Sequence, residues 1–137
     1  MHEKRIEVRW RDVDNYGHVN NAVYLTYLEE VRDEWLARTI SDDDAVWDFV
    51  VAHVSIDFRR EITQADDEVV TTCRAEAIGT SSVRTREDIH LAAGPLAAEA
   101  HAVLVARDRK SGRSRPITPR EREAFERELA PAAGDAV

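Results

Sequence analysis

Residues 6 to 11 alternate. Ile6, Val8 and Trp10 are apolar, while Glu7, Arg9 and Arg11 are charged. A period of two predicts a strand with one face buried and one face wet. The period then changes. Tyr24, Tyr27, Leu28, Val31, Trp35 and Leu36 recur at spacings of three and four, with Glu29, Glu30, Arg32, Asp33 and Glu34 mostly off that stripe. This is the pattern of an amphipathic helix over residues 21–38, about 25 Å long and long enough to lie across a four- or five-stranded sheet. Asn20 or Asn21 is a suitable N-cap. Residues 41–44 (Ser-Asp-Asp-Asp) predict a turn, and four apolar, β-branched segments follow at 47–58, 68–78, 82–91 and 96–107. Gln64 to Asp67, Gly79-Thr80 and Ala93-Gly94-Pro95 separate them, and Lys110-Ser111-Gly112 follows the last. Thr118, Pro119 and Glu121 supply an N-cap, a first-turn proline and a capping-box acid for a short final helix reaching about residue 129.

The order is strand, long helix, four strands, short helix. It predicts an α+β domain in which an antiparallel sheet, laid out as a meander, wraps the long helix. One helix covers one face of such a sheet but not its edges. Strand pairing between two copies would hide an edge, so a homodimer or homotetramer is expected.

Composition narrows the class. The 137 residues suit one domain, 1–130, with 131–137 as a flexible tail. A net charge of −8 argues against a nucleic-acid partner, because phosphate contacts need a basic surface. The single cysteine, Cys73, cannot form an intrachain disulfide and reads as a buried apolar thiol. The N-terminus lacks the apolar core of a signal peptide, and no run approaches the roughly 20 apolar residues of a membrane span. The expectation is a cytoplasmic protein. Five scattered histidines show no metal-ligand spacing.

The chemistry concentrates between the first strand and the helix, in Asp12-Val13-Asp14-Asn15-Tyr16-Gly17-His18-Val19-Asn20-Asn21. Two carboxylates, an imidazole and three side-chain amides are more than a connection needs. The helix that follows starts with unpaired N–H groups and a positive dipole end, which would polarise a carbonyl or stabilise an oxyanion. A carboxylate just upstream could attack that carbonyl or activate water. Acyl transfer or ester hydrolysis fits the loop on its own.

The same residues resemble the signature of hotdog-fold thioesterases related to 4-hydroxybenzoyl-CoA thioesterase, Asp-x-Asp-x-x-Gly-x-Val leading into a long helix. The run Gly17-His18-Val19-Asn20-Asn21, followed by Ala22, Tyr24, Tyr27, Glu29 and Glu30, resembles an acyl-CoA thioesterase branch. Asp57-Phe58-Arg59-Arg60 before Asp67-Glu68-Val69, and Arg113-x-Arg115-Pro116-Ile117, extend the likeness over nearly the whole chain. The resemblance implies a hotdog fold and hydrolysis of acyl-CoA to free acid and CoA, with no cofactor and no metal, at sites on the subunit interface. It makes Asp14 the catalytic carboxylate, as nucleophile or general base, and the backbone N–H near Asn21 the carbonyl's partner. Gly17 would let the backbone approach the ligand. Some relatives carry a basic run at the turn before the fourth strand, whereas this chain has Ile78-Gly79-Thr80-Ser81-Ser82, with Arg84 and Arg86 just beyond. The CoA grip is therefore expected among Arg59, Arg60, Ser81, Ser82, Arg84 and Arg86, with Tyr24 a further substrate contact.

Plainer roles stand beside these. Asp14 suits a turn, Asp12 suits loop support, and the amides of Asn20 and Asn21 suit caps. His18 fits proton transfer and a structural hydrogen bond equally. Tyr24, Tyr27 and Trp35 suit the core, and His53 suits a core or interface position. Two other functions share the fold: hydration or dehydration of enoyl thioesters through an Asp and His pair, and non-catalytic acyl-CoA binding.

Overall fold

In the computed structural model, which describes residues 1–41 and 45–129, the N-terminal alternation becomes strand β1 (His2–Glu7). Ile6 and Val8 are buried as their period requires, but Trp10 is 80% exposed. The chain leaves the strand at Glu7 and coils into a single 3-10 turn, Trp10–Asp12, which turns the third apolar residue outward. Helix α1 (Asn21–Ile40) buries the whole expected stripe and Arg32 as well, a residue the sequence pattern leaves on the polar face. Ser41 closes it in the left-handed region at φ 59°. Trp47 belongs to a 3-10 turn (Ala45–Asp48) and is exposed, so β2 (Phe49–Phe58) starts two residues later than its apolar run. β3 (Glu68–Ile78), β4 (Ser82–Leu91) and β5 (Leu96–Ala106) follow the sequence reading closely. The last helix, α2 (Pro119–Glu126), has the expected capping box between Thr118 and Glu121, and Leu129 bridges to Ala75 beyond its end. The acidic turn at 42–44 and the tail at 130–137 lie outside the described residues.

The sheet is antiparallel with strand order β1-β3-β4-β5-β2. Only β3, β4 and β5 form the expected meander. β2 crosses to the far edge and pairs with β5, leaving β3 free to take β1 on its other side. One sheet face carries Val69, Cys73, Ala75, Val83, Ile89, Ala98, Ala100, Ala102 and Leu104 onto α1. Runs of alanine on β5 let the helix sit close, and Tyr27, Leu28, Val31 and Trp35 fill the space above them, each worth about 1.5–3 kcal/mol or more of apolar burial. Trp35 stacks on Phe125 of α2 at 5.8 Å, which closes the core at the helix's C-terminal end. Burial pushes the Cys73 thiol well above its usual range, so it is a packing group.

A second contact runs through this core. Arg32 donates from Nε and Nη2 to the two oxygens of Glu87 at 2.8 and 2.7 Å, and the Thr85 hydroxyl donates to Glu87 Oε2 at 2.6 Å. Glu87 is wholly buried, facing the middle of α1 from the centre of β4. The pair ties the middle of α1 to the centre of β4.

Candidate functional site

The loop between β1 and α1 is a small hairpin. Val13 bridges to Val19, the Asp14 N–H donates to His18 O at 2.8 Å, and the Gly17 N–H donates to Asp14 O at 3.1 Å. Gly17 takes φ 82°, a value that suits glycine and explains its place at the tip. The space in front of its Cα is open.

Asp14 sits at the base of this hairpin, partly buried. Its Oδ1 accepts from Tyr16 N–H at 2.9 Å and more weakly from His18 N–H at 3.4 Å. The turn-forming role is therefore present. It also leaves Oδ2 without a hydrogen bond among the described residues, on a carboxylate whose orientation is fixed by its own loop. Asp12 is separate. It is buried, it accepts from Arg9 N–H at 2.9 Å and Tyr27 O–H at 2.7 Å, and its carbonyl accepts from Asn20 N–H at 3.0 Å. That is loop support, as its sequence reading has it.

Asn20 is the N-cap, its side chain accepting from Ala22 N–H at 2.9 Å. Asn21 is the first helical residue and is exposed, and among the described residues its N–H finds no acceptor. No acidic side chain occupies the first turn of α1. The positive end of the helix dipole is thus left for an incoming acceptor.

The stretch after β2 runs alongside. Val19 N–H donates to Ile62 O at 2.7 Å, and Tyr24 O–H donates to Arg60 O at 2.9 Å. Tyr24 meets Phe58 edge-on at 5.1 Å. Burial raises its hydroxyl pKa, so it stays a neutral donor. Asn21, Tyr24, Phe58, Arg59, Arg60 and Glu61 surround a depression of about 210 Å³ at the helix start. The imidazole Nε2 of His18 lies 3.1 Å from the Glu61 carboxylate on its rim.

The structure gathers Asp14, His18, Gly17, Asn21, Tyr24, Arg59 and Arg60 at one end of the sheet. Arg59 is committed to Glu99 at 2.7 Å, with Asp57 at 3.7 Å, whereas Arg60 is exposed and has no ion pair among the described residues. Ser81, Ser82 and Arg84 are elsewhere. Asp14 follows the Glu7 end of β1, which pairs with Glu68 at the start of β3. The turn carrying Ser81 follows the other end of β3, about 35 Å away at 3.3 Å per residue. There Arg84 holds Glu76 at 3.0 Å on the face away from α1, and Arg86 is tied to Asp88 and Glu99. His53 lies exposed on edge strand β2, outside the core of this chain. Among the described residues no His, Cys, Asp and Glu group is arranged to hold a metal ion. No helix among them is long and apolar enough to cross a membrane.

Sequence reasoning missed Glu61. It follows two arginines in a charged stretch, and nothing in its neighbours marks it. Only the fold brings it to His18.

The sequence pattern of the thioesterase-like superfamily matches residues 8–125. The chain is 29% identical over 130 residues to the long-chain acyl-CoA thioesterase FadM of Escherichia coli, covering 90% of this chain and 96% of that protein. Among solved structures it resembles a thioesterase from Thermus thermophilus determined with coenzyme A and zinc. That pair is 35% identical with a TM-score of 0.85, covering 96% of each chain. A putative thioesterase from Pseudomonas aeruginosa is 32% identical with a TM-score of 0.78, covering 90% of this chain and 96% of that one.

Proposed function

The chain belongs to the thioesterase-like superfamily and has its hotdog fold, and from that premise we propose that it hydrolyses acyl-CoA thioesters to a free acid and CoA. One observation carries the reading. A carboxylate with one oxygen pinned by loop amides and the other without a hydrogen bond among the described residues, Asp14, lies in the loop that leads into a helix start whose Asn21 N–H has no acceptor among them either. The thioester carbonyl accepts from that N–H, and the dipole of α1 stabilises the oxyanion that forms. Asp14 attacks the carbonyl carbon or takes a proton from the attacking water. Tyr24 and Phe58 wall the acyl entrance, and Arg60 supplies the cation for the CoA phosphates. FadM and the coenzyme A complex from Thermus thermophilus support the choice of acyl-CoA as substrate class.

The site is completed by a second copy of the chain. β1 presents Glu3, Lys4, Arg5 and Glu7 at one sheet edge, a charged edge that discourages pairing. The other edge, β2, carries Val50, Val51, Val54 and Ile56, with Val51 46% exposed. Antiparallel pairing of two β2 strands inverts the second sheet. It brings the partner's Ser81 and Ser82 to the same end as the Asp14 loop, which resolves their separation within one chain.

The test is a screen of purified protein against short, medium, long and aromatic acyl-CoAs, with free thiol detected by a dye. Turnover with at least one, falling at least about a hundredfold in Asp14→Asn while folding is intact, is expected. An undiminished rate in Asp14→Asn across all substrates would sink it.

A further inference from the structure

We infer that Tyr24 is a positioning residue: its hydroxyl holds the main chain of Arg60 so that the Arg60 guanidinium is presented to the phosphates of CoA, and the pair sets a preference for the nucleotide-bearing thioester. The inference rests on the acyl-CoA reading and deepens it.

Tyr24 follows Asn21 by three residues, so it rises from the same first turn of α1 that presents the Asn21 N–H. Its ring is buried and meets Phe58 edge-on at 5.1 Å. From that position its O–H donates to Arg60 O at 2.9 Å. The hydroxyl is therefore committed to the main chain, and only the ring faces the depression.

Arg60 is held on its other side as well. Its N–H donates to Ala97 O at 3.0 Å, beside Arg59 N–H on the same carbonyl at 2.8 Å. Two residues on, Ile62 O accepts from Val19 N–H at 2.7 Å. Both main-chain polar groups of Arg60 are thus bonded, while its side chain is exposed beside the depression and has no ion pair among the described residues. The contacts with Ala97 and Val19 run backbone to backbone. The contact from Tyr24 comes from a side chain, so it is the one a substitution removes.

A guanidinium with free donors suits a phosphate, which it can grip through two parallel N–H groups. Holding the Arg60 backbone in place lowers the cost of ordering that grip when the ligand arrives. The acyl chain and the thioester are the same whether the thiol is CoA or a small phosphate-free one. An effect that passes through Arg60 therefore shows as a difference between the two thioesters, whereas a general loosening of the site weakens both.

The experiment measures kcat and KM for one acyl chain carried on CoA and on N-acetylcysteamine, which has no phosphate. The readout is the ratio of the two kcat/KM values. Wild type is expected to favour the CoA ester at least about tenfold, and Arg60→Ala to remove most of that preference. Tyr24→Phe keeps the ring and should lower the ratio about fivefold, through KM for the CoA ester. Arg60→Lys, which keeps a cation and the hydroxyl contact, should retain part of the preference. The double variant Tyr24→Phe with Arg60→Ala should match Arg60→Ala within about twofold, because Tyr24 acts through Arg60. A ratio unmoved in Tyr24→Phe, or losses that multiply in the double variant, overturns the inference. A wild-type protein that hydrolyses neither ester defeats the thioesterase reading instead.

Discussion

The hydroxyl of Tyr27 donates a 2.7 Å hydrogen bond to Oδ2 of Asp12 in the protein interior. One partner belongs to the core stripe of α1 and the other to the entrance of the Asp14 hairpin. The bond therefore transmits the position of the helix to the loop. Burial, reinforced by Asp12, holds the Tyr27 hydroxyl protonated well above the usual phenol range, so it remains a donor. Tyr27→Phe keeps the ring and removes the bond. It should cost about 1–2 kcal/mol in urea unfolding with an unchanged slope, because Asp12 is left buried with only Arg9 N–H. The kcat for acyl-CoA should drop severalfold as the hairpin loosens.

The pair Arg32–Glu87 should be strongly asymmetric to mutation. Arg32→Met leaves a buried carboxylate without its cation and should destabilise by about 3–5 kcal/mol. The double variant Arg32→Met with Glu87→Met replaces both charges by apolar volume and should recover most of that loss. Thermal unfolding of the two single variants and the double variant checks the coupling directly.

Glu121 gives the acid limb of stability a local source. Burial opposes its ionisation, but Arg115, bonding both carboxylate oxygens at 2.8 and 3.0 Å, and Thr118 N–H outweigh that and hold the carboxyl below its ordinary value of 4.5. A depressed carboxyl pKa stabilises the fold fully above the unfolded value, and the contribution is lost as pH falls through the folded one. Glu121→Gln should therefore lower stability by about 1–2 kcal/mol at neutral pH. Unfolding curves of wild type and variant should converge below the ordinary carboxylate range.

Arg59 and Arg60 are neighbours with different duties. Glu99 holds Arg59, while Arg60 stands over the depression at the α1 start with no such partner among the described residues. Arg60→Ala should raise KM for acyl-CoA about tenfold at low salt with kcat little changed, a loss near 1.4 kcal/mol. Arg59→Ala should move KM by less than about threefold, because its charge is already neutralised. Steady-state kinetics at two ionic strengths separate them.

Much of this architecture was readable from the chain. β3 and β4 lie where their apolar periods place them, because turn residues bound each cleanly. The Asp14 loop was legible because its polar residues exceed what a connection needs. The burial of Arg32 and Glu87 was not read from the sequence, because their charge argued for the polar face although their spacing did not. Arg32 is four residues from Leu28 and Leu36, on the stripe, and Glu87 alternates with Val83, Thr85 and Ile89 on the buried face. Each charge alone argues against burial, and only their meeting across the core removes the conflict. The place of β2 beside β5 and the contact of His18 with Glu61 depend on a crossover that leaves no local periodic trace. Trp10 misled because its alternation continues past the residue where the backbone turns.

The far-edge position of β2 also sets the order of events when the protein is made. Its hydrogen-bonding partner, β5, is the last strand to leave the ribosome, after β3 and β4. At synthesis rates of about 5–20 residues per second, the apolar ribbon Phe49–Phe58 waits a few seconds or more without its ladder. During that interval both of its edges are open to other nascent chains. Completion of β5 closes one edge, and the outer edge left by that closure is the one on which a second copy can dock.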